Sequence, residues 1–152
     1  MNRGYASIGL DNPKSPHNVG SVMRACGVYG AAQCYFTGKR YAKAKQFVTD
    51  PQKSYRHIPL THVASLQKVI PYNCVPVAIE LLPQARSLFS YKHPERAFYI
   101  FGPEDGTLGD RVLRFCRDVV YIPTSKCMNL AAAVNVVLYS RAYYIWQKEA
   151  GQ

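Results

Sequence analysis

The chain has 152 residues, long enough for one domain with a sizeable buried core. Hydrophobic residues make up 48% and charged residues 18%, a balance that excludes intrinsic disorder. The formal net charge of +10 points to a polyanionic partner, nucleic acid first, and carries no information about chemistry.

The first residues, MNRGYASIGLDNP, hold no apolar run of signal-peptide length. The best membrane candidate, 130–139, is interrupted by Asn135. A soluble cytoplasmic protein that engages no membrane is the simplest expectation. The five cysteines, Cys26, Cys34, Cys74, Cys116 and Cys127, form no C-x-x-C pair. His17, His57, His62 and His93 are scattered. A disulfide framework and a metal site are both disfavoured on these spacings.

In chain order, 5–10 (YASIGL) reads as a first strand and 11–17 as a Pro-rich polar loop. Asn18 is a good N-cap for a helix carrying Val19, Val22, Met23 and Cys26, with Gly30 as its stop. Gly20 and Gly27 within it cost roughly 1 kcal/mol each, which leaves room for a close approach of backbone, sheet or ligand there. Residues 32–37 form a second strand. The segment 38–57 then carries Lys39, Arg40, Lys43, Lys45, Lys53 and Arg56 against the single acid Asp50, with Tyr41, Phe47 and Tyr55 interleaved. Cations for phosphates and rings for unpaired bases suggest an RNA-binding loop; a solvated basic loop is the plainer alternative.

Residues 61–70 read as a short amphipathic helix, and 73–80 as a strand that Pro76 weakens or places at an edge. A weak helix is expected at 85–91, the clearest strand at 96–102, a helix at 110–116 and a last strand at 119–122. Residues 121–147 (YIPTSKCMNLAAAVNVVLYSRAYYIWQ) then join a polar loop to a long helix striped by Val134, Val137, Leu138, Arg141, Ala142 and Ile145. That stripe suits either a sheet or a second subunit. The alternation of strands and helices implies an α/β fold, a mostly parallel sheet with helices on both faces, over one domain spanning 1–152. Ligands in such sheets sit beyond the carboxyl ends of strands. Three chemically loaded loops fall there: the one entering Asn18, GPEDGTL, and IPTSKCMN.

Taken in order, these segments resemble the SpoU–TrmH family of the SPOUT RNA methyltransferases. Asn18-Val19-Gly20 with Arg24 and Gly30 resembles the first motif. Phe101-Gly102-Pro103-Glu104 resembles the second, and Ile122-Pro123 with Cys127-Met128-Asn129-Leu130 the third. The match runs through nearly the whole chain, as expected of a minimal catalytic domain without a separate RNA-binding domain.

The resemblance implies a deep C-terminal trefoil knot, S-adenosylmethionine as cofactor, a homodimer through the first and last helices, and methyl transfer to a ribose 2′-hydroxyl of tRNA or rRNA, with tRNA preferred. It implies Arg24, Asn129 and Glu104 as catalytic residues. It implies Ile79, Gly102, Ile122, Cys127, Met128 and Leu130 around the cofactor, and Asn18 beside the RNA. Thr107, Cys127 and Ala131 depart from the family pattern, where Gly, Ser and Ser are usual. They leave open an RNA-binding protein that keeps the fold without catalysis. A small nucleotide-binding protein is less attractive, because G-x-G-x-x-G and G-K-[ST] are both missing.

Overall fold

The computed structural model describes residues 4–45 and 57–151, with Lys45 by its backbone alone. Seven strands form one sheet: β1 (Tyr5–Leu10), β2 (Gln33–Phe36), β3 (Leu60–His62), β4 (Val75–Ile79), β5 (Arg86–Ser87), β6 (Arg96–Phe101) and β7 (Asp118–Tyr121). Their order is β3-β2-β1-β6-β4-β7-β5, and every pairing is parallel. A parallel sheet is covered on both faces, so its central strands are apolar throughout. In β6, Ala97, Phe98, Tyr99 and Ile100 are all fully buried.

Alternate residues of β6 serve different cores. Ala97, Tyr99 and Phe101 join the core beneath α1 (Pro16–Tyr29) and α4 (Leu130–Ala150), which holds Val19, Val22, Val134 and Val137. Phe98 and Ile100 join a smaller core with Leu66, Ala78, Leu108 and Val112, the last from α3 (Asp110–Leu113). A short helix α2 (Arg40–Lys45) follows β2. Among the described residues no helix is long and apolar enough to cross a membrane.

Several elements differ from the sequence expectation, each for a physical reason. The N-cap of α1 is Ser15, whose hydroxyl accepts from the Asn18 N–H at 3.3 Å, with Pro16 at the first helical position where its missing N–H costs nothing. The side chain of Asn18 is thereby released for other partners. Gly30 does end α1, in the left-handed conformation at φ 73°. Residues 61–70 are not an amphipathic helix. The chain instead pairs with β2 as the edge strand β3, fixed by Cys34 N–H to Pro59 O and Val63 N–H to Phe36 O, and then makes one 3-10 turn, Gln67–Val69. Residues 85–91 form the two-residue strand β5 beside β7 and a 3-10 turn, Leu88–Ser90, capped by Ser87.

Pro76 sits in an interior strand, between β6 and β7. Its carbonyl accepts from the Arg117 N–H at 3.0 Å, so its missing N–H faces the same side, just before the β4–β7 ladder begins at Val77. No ladder bond is lost. The stripe of α4 packs inward through Val134, Val137, Leu138 and Arg141, while Ala142 is exposed. Arg141 is buried because its guanidinium is satisfied: Nη1 donates to Pro94 O at 2.6 Å and Nη2 to Glu95 O at 2.7 Å.

Candidate active site at the carboxyl ends of the strands

Beyond the ends of β4, β6 and β7 lies a cavity of about 590 Å³. Ile79, Gly102 and Ile122 line it where those three strands stop. Cys127, Met128 and Leu130 line it from the loop that enters α4, and Asn18, Glu104 and Asn129 also contribute to its wall. The three loops singled out in the sequence thus meet at one place, contacting one another across separations of 86 to 111 residues.

What joins them is a chain of side-chain hydrogen bonds. Glu104 accepts from the backbone N–H of Lys14 at 3.0 Å and of Ser15 at 2.7 Å, which pins the entry to α1. Its Oε2 also accepts from Asn18 Nδ2 at 3.3 Å. Asn18 Oδ1 in turn accepts from Asn129 Nδ2 at 3.2 Å. Asn129 is the N-cap of α4, its Oδ1 accepting from the N–H of Ala131 at 2.9 Å and of Ala132 at 3.4 Å. Burial alone would raise the Glu104 carboxyl, but these N–H donors outweigh it and hold it below its ordinary value. Glu104 therefore acts on Asn129 through Asn18, as a charged anchor.

Gly102 has a specific steric duty. A Cβ there would stand 3.1 Å from Leu108 N and 3.3 Å from Thr107 C, so the close approach of the loop 102–108 favours glycine at this position. The same loop is held from the other side by Glu80, a residue not anticipated from the sequence. Its Oε2 accepts from Leu108 N–H at 2.8 Å and its Oε1 from Leu81 N–H at 3.1 Å, and it lines the cavity. The signal available was its place directly after Ile79, at the carboxyl end of a parallel strand.

The basic residues divide. Arg40 is turned onto the protein: Nη1 and Nη2 pair with Asp105 at 2.8 and 3.0 Å, and Nη2 also donates to Asn12 O at 2.7 Å. The hydrogen bond to Asp105 raises the Arg40 pKa and lowers that of Asp105. Lys39 and Lys43 are exposed. Lys53 and Arg56, with Phe47, Asp50 and Tyr55, lie outside the described residues, as does the side chain of Lys45. Arg24 stands on the exposed side of α1 and is not part of the cavity wall.

Among the described residues, no group of three or more His, Cys, Asp or Glu could hold a metal ion. The cavity lining carries two carboxylates, Glu80 and Glu104, against one ammonium, Lys126, within a strongly basic chain. Apolar walls from Ile79, Ile122 and Leu130 with that balance suit a flat apolar base joined to a cationic group.

The TrmH/SpoU tRNA modifying enzyme of A. aeolicus shares the fold at a TM-score of 0.80 and 18% identity, over 98% of this chain and 78% of that one. The SpoU methyltransferase AviRb from Streptomyces viridochromogenes, in complex with the cofactor AdoMet, shares it at 0.75 and 21% identity, over 100% of this chain and 61% of AviRb. A structure bearing on 2-OH methylation of C/U34 on tRNA gives 0.77 and 20% identity, over 95% and 93% of the two chains. No curated protein sequence matches the chain. Residues 6–139 match the family model of the SpoU rRNA methylases, nearly the whole length, and the chain belongs to that family of RNA methyltransferases.

Proposed function

We propose that the protein methylates a ribose 2′-hydroxyl of RNA with S-adenosylmethionine as donor, in the cytoplasm, and prefers tRNA to rRNA. The observation that carries this reading is the Glu104–Asn18–Asn129 chain, which fixes all three motif loops around a cavity of suitable size and charge. The fit to the cofactor rests on the apolar walls and on the carboxylate excess facing a ligand of net positive charge. Bound there, the cofactor supplies an electrophilic sulfonium methyl group.

This chain's own residues would do the rest. Ile79, Gly102 and Ile122 hold the adenosine part, and Cys127, Met128 and Leu130 close over it. Asn129, kept rigid by its cap bonds, directs its amide toward the reacting ribose. Arg24 clamps an RNA phosphate and stabilises charge growing on the attacking oxygen; a guanidinium in general holds its proton too tightly to serve as a base. Proton removal is then assisted by the RNA itself. Lys39 and Lys43 offer exposed charge to the RNA backbone, and Lys45, Lys53 and Arg56 extend that basic segment. The tRNA preference draws on the neighbours concerned with tRNA.

The same reading makes 122–130 the threaded segment of a deep trefoil knot and pairs two copies through α1 and α4. Labelled cofactor incubated with total RNA, followed by mapping of 2′-O-methylation, tests the activity. Methylated ribose in a tRNA fraction is expected. Folded protein that transfers no methyl group to any RNA pool would leave an RNA-binding protein without catalysis. The variant Arg24→Ala is expected to bind cofactor normally and to lose transfer by about 100-fold or more, the scale for removing one charge-stabilising donor.

A further inference from the structure

We propose that Glu80 accepts the ribose cis-diol of the cofactor and so selects nucleosides that carry both hydroxyls. The proposal rests on the preceding reading of the cavity as a site for S-adenosylmethionine.

Glu80 follows the last residue of β4, a strand paired on both sides, and its own N–H continues the ladder to Val120 O at 2.9 Å. Its backbone position is therefore fixed. Its carboxylate is fixed as well, with one backbone N–H on each oxygen: Leu81 on Oε1 and Leu108 on Oε2. A carboxylate offers about four lone-pair directions, so each oxygen keeps one for another donor. Among the described residues Glu80 forms no ion pair. An anchored carboxylate with spare acceptor capacity at a cavity wall is placed to accept from donors on a ligand.

A ribose cis-diol presents two adjacent O–H groups, which match two adjacent carboxylate oxygens. An acid at a strand end that accepts from a ribose hydroxyl is a recurrent solution in parallel α/β sheets. The other carboxylate of the cavity cannot serve, because Glu104 is already engaged by Lys14, Ser15 and Asn18. The charge also sets a boundary. A phosphate at the 2′ or 3′ position would meet Glu80 head-on, so the site takes a nucleoside and refuses its ribose phosphate.

Glu80 also holds the loop at Leu108, and a purely structural role must be separated from recognition. The experiment is calorimetry of the full chain with S-adenosylhomocysteine and with its 2′-deoxy and 3′-deoxy analogues. In the unmodified protein, loss of either hydroxyl is expected to weaken binding about 10- to 100-fold, as for hydrogen bonds to a charged acceptor. In Glu80→Ala the three ligands are expected to bind alike, and in Glu80→Gln the penalty shrinks. Deoxy analogues that bind the unmodified protein as well as the parent overturn the proposal, without recourse to any variant. A deoxy penalty unchanged in Glu80→Ala also overturns it and leaves Glu80 a loop anchor. Failure of the unmodified protein to bind S-adenosylhomocysteine at all overturns the cofactor reading and this proposal with it.

Discussion

Asn18 uses both ends of its amide, and each end reaches a different loop. Nδ2 donates to Glu104 and Oδ1 accepts from Asn129, so one side chain couples the anchor of α1 to the cap of α4. Asn18→Ala removes both bonds and leaves Asn129 free to turn from the N–H groups it caps. A loss of about 1–2 kcal/mol is expected, within the range for a cap or a charge-assisted hydrogen bond. Thermal unfolding measures it, and cofactor affinity should fall with it, since the cavity wall loosens. Asn18→Asp should be worse, because it sets a second carboxylate against Glu104. The identity of these residues was legible in the sequence, as motif positions. Their mutual contacts were not, because nothing local links positions 86 to 111 residues apart. Arg40 makes the same point: its charge suggested RNA, while its guanidinium lies against Asp105 and Asn12.

At the scale of elements, α4 was legible because its apolar period is long, and β6 because its run is buried on both faces. Residues 61–70 were not. Val63, Leu66, Val69 and Ile70 have helical spacing, but hydrogen bonds to β2 decide the conformation, and no local pattern encodes a partner strand. The inward face of α4 has its own polar core. His93 is buried, with Nδ1 2.7 Å from the Tyr99 hydroxyl and Nε2 3.0 Å from Ser140 Oγ. Burial first, and the Arg141 charge second, lower its pKa to about 4. The folded protein keeps His93 neutral, whereas the unfolded chain protonates it near its ordinary value of 6.5. Between those values the unfolded state binds more protons, so stability is full above pH 6.5 and declines as pH falls toward 4. The decline amounts to roughly 3 kcal/mol for a shift of this size and levels off below it. Urea unfolding between pH 4 and 7.5 measures the slope. His93→Gln should flatten it, and an unchanged slope would assign the pH dependence to other groups.

For the whole molecule, the net charge named the class of partner and the alternation of elements named the sheet, but neither indicated which surface stays apolar. Val28, Tyr139 and Trp146 are 70%, 61% and 60% exposed, and Tyr143 stacks on Trp146 with ring centres 5.8 Å apart. Tyr139, Tyr143 and Trp146 follow one another at helical spacing, on a face of α4 distinct from the one on the sheet. Val28 belongs to α1, which packs on α4. Exposed aromatic residues grouped along one helix face are what a subunit interface requires. A twofold pairing through such a face would be isologous, each copy offering the same patch. Arg24 lies one helical turn before Val28 on α1, so this pairing would bring it toward the partner while the cavity stays within one subunit. The consequence is a specific split. Trp146→Glu should convert a dimer to a monomer in sedimentation at micromolar concentration. It should lower methyl transfer strongly and leave cofactor affinity within about twofold, since no cavity residue is touched. A wild-type protein that sediments as a monomer would remove the dimer. A monomeric Trp146→Glu with full transfer would show that each subunit works alone, with Arg24 engaging the RNA from its own chain.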